Sequence, residues 1–219
     1  DSLAGPGDWC GALPRGDAWT LPERHLGVVQ AAELPDALAR LDAAADALAA
    51  TPLGRRPLSD WLQWPAPVVG STDSVPPLLA GRTIAVAQDA AFQFTYPANL
   101  ATLQALGARV QTFSPLAGAG LPPCDAVWLP GGYPELHAAA LAACTPLRDQ
   151  LRAHVAAGRP LWAECGGMMV LCDALVDADG QHHAMWGLLP GTVTQGRRLA
   201  ALGPQQLVLG GQALRGHTF

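Results

Sequence analysis

One cysteine, a pair of adjacent glycines and a few histidines are the residues of this chain best suited to covalent chemistry. Cys165 stands in Arg159-Pro-Leu-Trp-Ala-Glu-Cys-Gly-Gly-Met168, where a short apolar run stops at Glu-Cys-Gly-Gly and a second one begins. That pattern reads as a buried strand, a sharp turn that glycine tolerates, and then a helix. A thiol at such an elbow projects onto a helix N-terminus, where free N–H groups and partial positive charge favour thiolate over thiol. Another strand-end loop carries Gly131 and Gly132 in Leu129-Pro-Gly-Gly-Tyr-Pro-Glu135. Acyl transfer needs backbone donors aimed at a developing oxyanion, and a diglycine loop beside a nucleophile supplies that combination. Taken singly, each motif also has a plain reading: a buried structural thiol, and an ordinary strand-to-helix turn.

The remaining reactive side chains are weaker candidates. Glu164 adjoins the nucleophile, but strand alternation sends its side chain away from that of Cys165, so its expected role is support. His182 and His183 lie in Asp-Ala-Asp-Gly-Gln-His-His, a hairpin-tip pattern, and no metal is assigned to them. His137 and His154 fall on helices and read as surface or packing residues. Cys124 precedes a strand, Cys144 separates two helices, and Cys172 is placed near the end of the helix after the elbow. A thiolate nucleophile normally works with a histidine base. That base is either His217, in Leu214-Arg-Gly-His-Thr-Phe219, or a histidine beyond residue 219.

The elements that must position these groups follow a regular rhythm from Arg82 onward. Thr83 to Ala87 reads as a strand, Pro97 to Leu106 as a helix opened by proline, and Arg109 to Phe113 as a second strand. Asp125 to Leu129 is a third strand, ending at the diglycine loop. An Ala/Leu-rich helical region then runs to about Ala157, before the strand that leads to Cys165. Such alternation implies a parallel sheet covered on both faces, with ligands at the carboxyl ends of the strands. After Met185 short strands and Gly/Pro turns are expected.

Upstream, residues 1–50 read as the tail of something larger. Trp9 to Pro14 has the character of a last strand, and Leu21 to Gly27 that of a compact polar turn. Leu34, Leu38, Leu41, Ala45 and Leu48 recur at helical spacing between Ala31 and Ala50, which predicts an amphipathic helix packed on a neighbour. Residues 51–81 are proline-rich and aperiodic, as a linker would be.

Composition narrows the function. Of the 219 residues half are hydrophobic, and all 13 basic residues are arginine, so a lysine-dependent phosphate loop is absent. A net charge of −5 argues against a nucleic-acid partner. Five cysteines without framework spacing fit reduced thiols in the cytoplasm. No apolar run approaches the roughly 20 residues a membrane span requires.

Several stretches together resemble the C-terminal glutaminase half of the cobyrinic acid a,c-diamide synthases. They are Leu21 to Gly27, Ile84-Ala-Val-Ala-Gln-Asp-Ala-Ala-Phe-Gln-Phe-Thr-Tyr-Pro-Ala-Asn-Leu100, Leu129 to Glu135, Ala163 to Met168, Gly187-Leu-Leu-Pro190 and Arg215 to Phe219. The resemblance implies a flavodoxin-like class I glutamine amidotransferase fold over residues 82–219. It also implies a remnant of a dethiobiotin-synthetase-like domain over residues 1–50. Cys165 is then the glutaminase nucleophile, with Gly132 and Gly166 as oxyanion donors and Gly131 beside the glutamine. The ammonia released would serve ATP- and Mg²⁺-dependent amidation of the a and c carboxylates of cobyrinic or hydrogenobyrinic acid in the full-length enzyme. This portion would hold no cofactor itself, and a homodimer is its candidate assembly. The family reads Gly-His-Glu-Phe-His near the end, whereas Thr218 takes the place of that Glu here, and its base histidine lies further on. The rival expectations are the glutaminase subunit of another amidating ligase, such as one acting on cell-wall precursors, and a non-enzymatic elbow-thiol sensor.

Overall fold

The computed structural model describes residues 9–24, 27–29, 33–61, 75–196 and 203–218, and separates into two compact units, Asp1–Ser71 and Thr72–Phe219. In the first unit, β1 (Glu23–Arg24) and β2 (Gly27–Val28) form a minimal antiparallel ladder within the expected polar turn. Trp9 to Pro14 is not a strand. It is extended chain anchored where the carbonyl of Cys10 accepts the Leu53 N–H at 3.0 Å.

Helix α1 (Ala37–Ala49) starts later than its apolar spacing suggested, because Pro35 sits in the turn ahead of it and cannot donate a helical hydrogen bond. Residues 31 and 32 of the expected helix lie outside the described residues. The apolar stripe remains open to solvent: no residue of α1 is buried, and Leu38 and Leu41 are 77% and 63% exposed. Within the expected linker, Thr51 is buried and its hydroxyl donates to Leu48 O at 2.7 Å while accepting from Gly54 N at 3.0 Å. A one-turn helix, α2 (Leu58–Trp61), follows. Residues 62–74 of that linker lie outside the described residues.

The second unit is built on the expected strands. β3 (Thr83–Ala87), β4 (Arg109–Phe113), β5 (Ala126–Leu129) and β6 (Leu161–Ala163) pair in parallel in the order β4-β3-β5-β6. Thr83 aligns with Arg109, Ile84 with Ala126 and Val127 with Leu161. This is the flavodoxin-like, parallel-rich architecture. Helix α3 (Pro97–Ala105), opened by its proline, connects β3 to β4. A 3-10 turn (Pro134–His137), α4 (Ala138–Ala143) and α5 (Thr145–Ala156) connect β5 to β6. Leu141, Leu147 and Leu151 of that region pack with Ala85, Ala87, Val127 and Leu129 into the main core. On the other face, α3 and the sheet enclose an apolar hollow of about 450 Å³ lined by Leu103, Trp128, Leu161 and Trp162.

The helix after the elbow is much shorter than expected. α6 (Gly166–Met169) makes one turn, and Cys172 opens β7 (Cys172–Val176) rather than ending a helix. Val170 and Leu171 are buried in the turn between α6 and β7, and Cys172, Ala174 and Leu175 carry the core contact into the strand. β7 pairs antiparallel with β8 (His182–Ala184) and parallel with β9 (Leu189–Thr194). The last hairpin joins β10 (Gly203–Leu209) to β11 (Gln212–Thr218) through Gly210 and Gly211, whose φ of 57° and 79° suit a tight two-residue turn. Among the described residues no helix is long and apolar enough to cross a membrane.

Candidate active site

Strands β5 and β6 run parallel with Leu129 level with Ala163, so the chain leaves both at one edge of the sheet. From β5 it enters the diglycine loop; from β6 it enters the elbow. Cys165 adopts φ 49° and ψ −122°, the single positive-φ non-glycine conformation among the described residues. Holding a side-chain-bearing residue there costs on the order of 1–3 kcal/mol, which the surrounding hydrogen bonds must sustain. Glu164 N–H donates to Leu129 O at 3.2 Å and Gly167 N–H to Glu164 O at 2.9 Å. Met168 N–H donates to Cys165 O at 3.0 Å.

The glycines around the thiol are required by proximity. A Cβ on Gly166 would fall 2.6 Å from Pro134 Cδ, and one on Gly167 would fall 2.1 Å from Leu129 O. A Cβ on Gly132 would lie 2.1 Å from Ala91 O. At Gly131 the nearest atoms include Cys165 itself, with Sγ 3.4 Å from the hypothetical carbon. The diglycine loop and the thiol therefore share one site, as the sequence predicted.

Two backbone N–H groups, those of Gly132 and Gly166, hydrogen-bond the sulfur and lower its pKa. Burial opposes them and prevails, and the carboxylates of Glu135 and Glu164 add to it, so the thiol titrates above its ordinary value. The free N–H groups expected to favour the thiolate are present, but burial outweighs them. The physical reason is that α6 has one turn and therefore a weak dipole, while the half-buried sulfur has lost much of its water.

The wall opposite the elbow is the loop after β3. Phe94 N–H donates to Gly131 O at 3.0 Å, and the Phe94 ring meets Tyr133 edge to face at 5.2 Å between centroids. Glu164 behaves as strand alternation predicted: it accepts the Trp128 indole N–H at 2.9 Å on the α3 face of the sheet. Glu135 was missed as a site residue. It is a buried carboxylate in the first turn of the 3-10 segment, close enough to act on the sulfur. Its position one residue after Pro134, at a turn start, was the available signal.

The histidines are dispersed. His154 is buried against Pro160 O at 3.0 Å and Cys124 Sγ at 4.0 Å, a packing position. His183 pairs with Asp177 at 2.9 Å across the β7–β8 turn, and His182 begins β8. His217 lies on the exposed strand β11, opposite Pro204. Among the described residues, the groups that bear on the sulfur's ionisation include no imidazole. No cluster of three or more His, Cys, Asp or Glu side chains arranged for a metal occurs among the described residues. All five cysteines are free thiols.

A strained thiol with two N–H donors on its sulfur is equipped to attack a carbonyl-type carbon and to stabilise the resulting oxyanion. The model of the CobB/CobQ-like glutamine amidotransferase domain matches residues 83–219. Hydrogenobyrinate a,c-diamide synthase of Stutzerimonas stutzeri (strain A1501) is 52% identical over 219 residues, all of this chain and 50% of that protein. The synthase of the same name from Pseudomonas aeruginosa is 50% identical over 214 residues, 96% of this chain and 47% of its own. Cobyrinate a,c-diamide synthase of Herminiimonas arsenicoxydans is 48% identical over 206 residues, 91% and 45% of the two chains. The chain spans about half the length of these curated relatives. It belongs to the CobB/CobQ-like glutamine amidotransferase family.

Proposed function

We propose that this chain is the glutaminase portion of a hydrogenobyrinate or cobyrinate a,c-diamide synthase. Cys165 is the nucleophile, Gly132 and Gly166 are the oxyanion donors, and Gly131 lines the place of the glutamine amide. A single observation supports the reading most: the diglycine loop meets the strained elbow residue, with a Cβ added at Gly131 lying 3.4 Å from Cys165 Sγ.

In the mechanism the Cys165 thiol gives its proton to a general base, and the sulfur attacks the side-chain amide carbon of glutamine. The oxygen takes up the negative charge and accepts hydrogen bonds from the two backbone donors. The C–N bond then breaks, and nitrogen takes the proton and leaves as ammonia, which gives a glutamyl thioester. Water cleaves the C–S bond, releasing glutamate and restoring the thiol.

ATP and Mg²⁺ belong to the amidation step of the full-length protein, in which ammonia replaces an oxygen of an activated a or c carboxylate. The cytoplasm is the compartment that suits five free thiols. A homodimer is the assembly this reading carries forward. Treatment of the full-length protein with a glutamine-mimicking diazo ketone, followed by peptide mass spectrometry, is expected to modify Cys165. Modification of another cysteine, or of none, counts against the reading.

A further inference from the structure

The loop that backs the diglycine turn is tied down by one carboxylate outside the site. Asp89, two residues past β3, accepts the Ala91 N–H on Oδ1 at 2.9 Å. Its Oδ2 accepts the Ser114 hydroxyl at 2.9 Å and the Leu116 N–H at 2.8 Å, both just beyond β4. The Asp89 carbonyl also takes the Phe92 N–H at 3.0 Å, which closes the turn. From this anchored turn, Ala91 O and Gln93 N press on Gly132, at 2.1 and 3.0 Å from where a Cβ would stand. Phe94 N–H holds Gly131 O at 3.0 Å. The backbone of residues 91–94 thus grips the diglycine segment along its length, and Asp89 sets where that backbone lies.

We propose that Asp89 is a positioning residue for the Gly132 N–H: its carboxylate clamps the loop over residues 90–95 to the end of β4, and the loop holds the Gly131–Gly132 segment against Cys165. The inference rests on the glutaminase reading for its kinetic consequence, but not for its geometric one. Three charge-assisted hydrogen bonds to one carboxylate make a stiff joint. A misplacement approaching 1 Å of a group that acts in the transition state can cost about 100-fold in rate. Asp89 touches neither the sulfur nor the amide, so its effect falls on turnover more than on substrate capture.

The test compares full-length protein with Asp89→Asn, the milder Ser114→Ala, and an exposed control, Asp149→Ala. Two quantities are read per folded molecule: glutaminase kcat and KM, and the pH midpoint of Cys165 alkylation by iodoacetamide. For Asp89→Asn the expected results are a kcat lowered about 10-fold or more with KM within about threefold, and an alkylation midpoint moved to higher pH as the Gly132 donor withdraws. Ser114→Ala shifts both in the same direction by less, and stands in for Asp89→Asn if that variant does not fold. The control leaves both unchanged. Unaltered kcat and midpoint in both variants, even with a lowered melting temperature, overturn the proposal. If the wild type hydrolyses no glutamine while the alkylation midpoint still moves in the variants, the positioning role stands and the glutaminase reading falls.

Discussion

Cys165 sits between opposed influences, and the balance decides how its reactivity depends on pH. Two N–H groups favour the thiolate; loss of water and two carboxylates favour the thiol and win. The folded pKa is therefore raised, so the thiol's contribution to stability is fully present below the ordinary thiol range and is lost as pH rises through the folded value. For reactivity the same sign means little thiolate at neutral pH. Alkylation of Cys165 in the resting protein is expected to be slow at pH 7 and to climb steeply only above about pH 8.5, the value of an unperturbed thiol. A midpoint below that value, measured by iodoacetamide labelling across pH, would show the donors to dominate. That Cys165 stands at an elbow was legible in the residues, since a short apolar run stops at Glu-Cys-Gly-Gly, although β6 is less buried than that run suggested. The charge of Cys165 was not, because desolvation depends on what folds over the sulfur.

The strand-to-helix turns hold the site together by close approach, and two glycines separate shape from chemistry. At Gly167 an added Cβ would meet the backbone oxygen of Leu129 at 2.1 Å, and neither partner can rotate away. Gly167→Ala is expected to destabilise the protein by about 1–3 kcal/mol or more, seen as a lower denaturant midpoint. At Gly131 the Cβ would meet the Phe94 ring at 3.1 Å and Cys165 Cβ and Sγ at 3.2 and 3.4 Å, contacts that shifts of a few tenths of an ångström relieve. Gly131→Ala is expected to stay folded within about 1 kcal/mol of wild type while losing most glutaminase activity, since the methyl occupies the approach to the sulfur. β3 was legible at its boundaries because a buried strand in a parallel sheet is a short apolar run between turn residues, whereas β4 is an edge strand with only Phe113 buried. α6 was not: Met168 to Cys172 suits a helix by composition, yet the helix ends at Met169 and Cys172 opens a strand paired with β9.

Across the molecule, glutamine hydrolysis and use of the ammonia are separable steps in the proposed function. Full-length protein carrying Cys165→Ala is expected to lose glutamine-dependent amidation by a factor of about 10³ or more. It should retain ATP-dependent amidation when ammonium is supplied, as chromatography of the corrinoid product would reveal. Loss of both activities in a folded variant would mean that Cys165 serves more than glutamine hydrolysis. The first unit enters this only as an expectation. Its helix α1 keeps Leu38 and Leu41 in solvent, although its spacing had suggested a packed face. Periodicity reports that a helix has an apolar side and is silent on what covers it.

Local chemistry along the chain was sufficient to place a thiol, a diglycine loop and the alternating strands and helices that carry them, because each of these rests on neighbours a few residues apart. Contacts between distant segments settled the rest. The Asp89 anchor joins residues 25 and 27 positions apart, and the contact of Gly131 with Cys165 spans the crossover from β5 to β6. Buried Glu135 and the upward push on the Cys165 thiol likewise follow from packing that brings remote backbone together and removes water, which no local pattern of residues encodes.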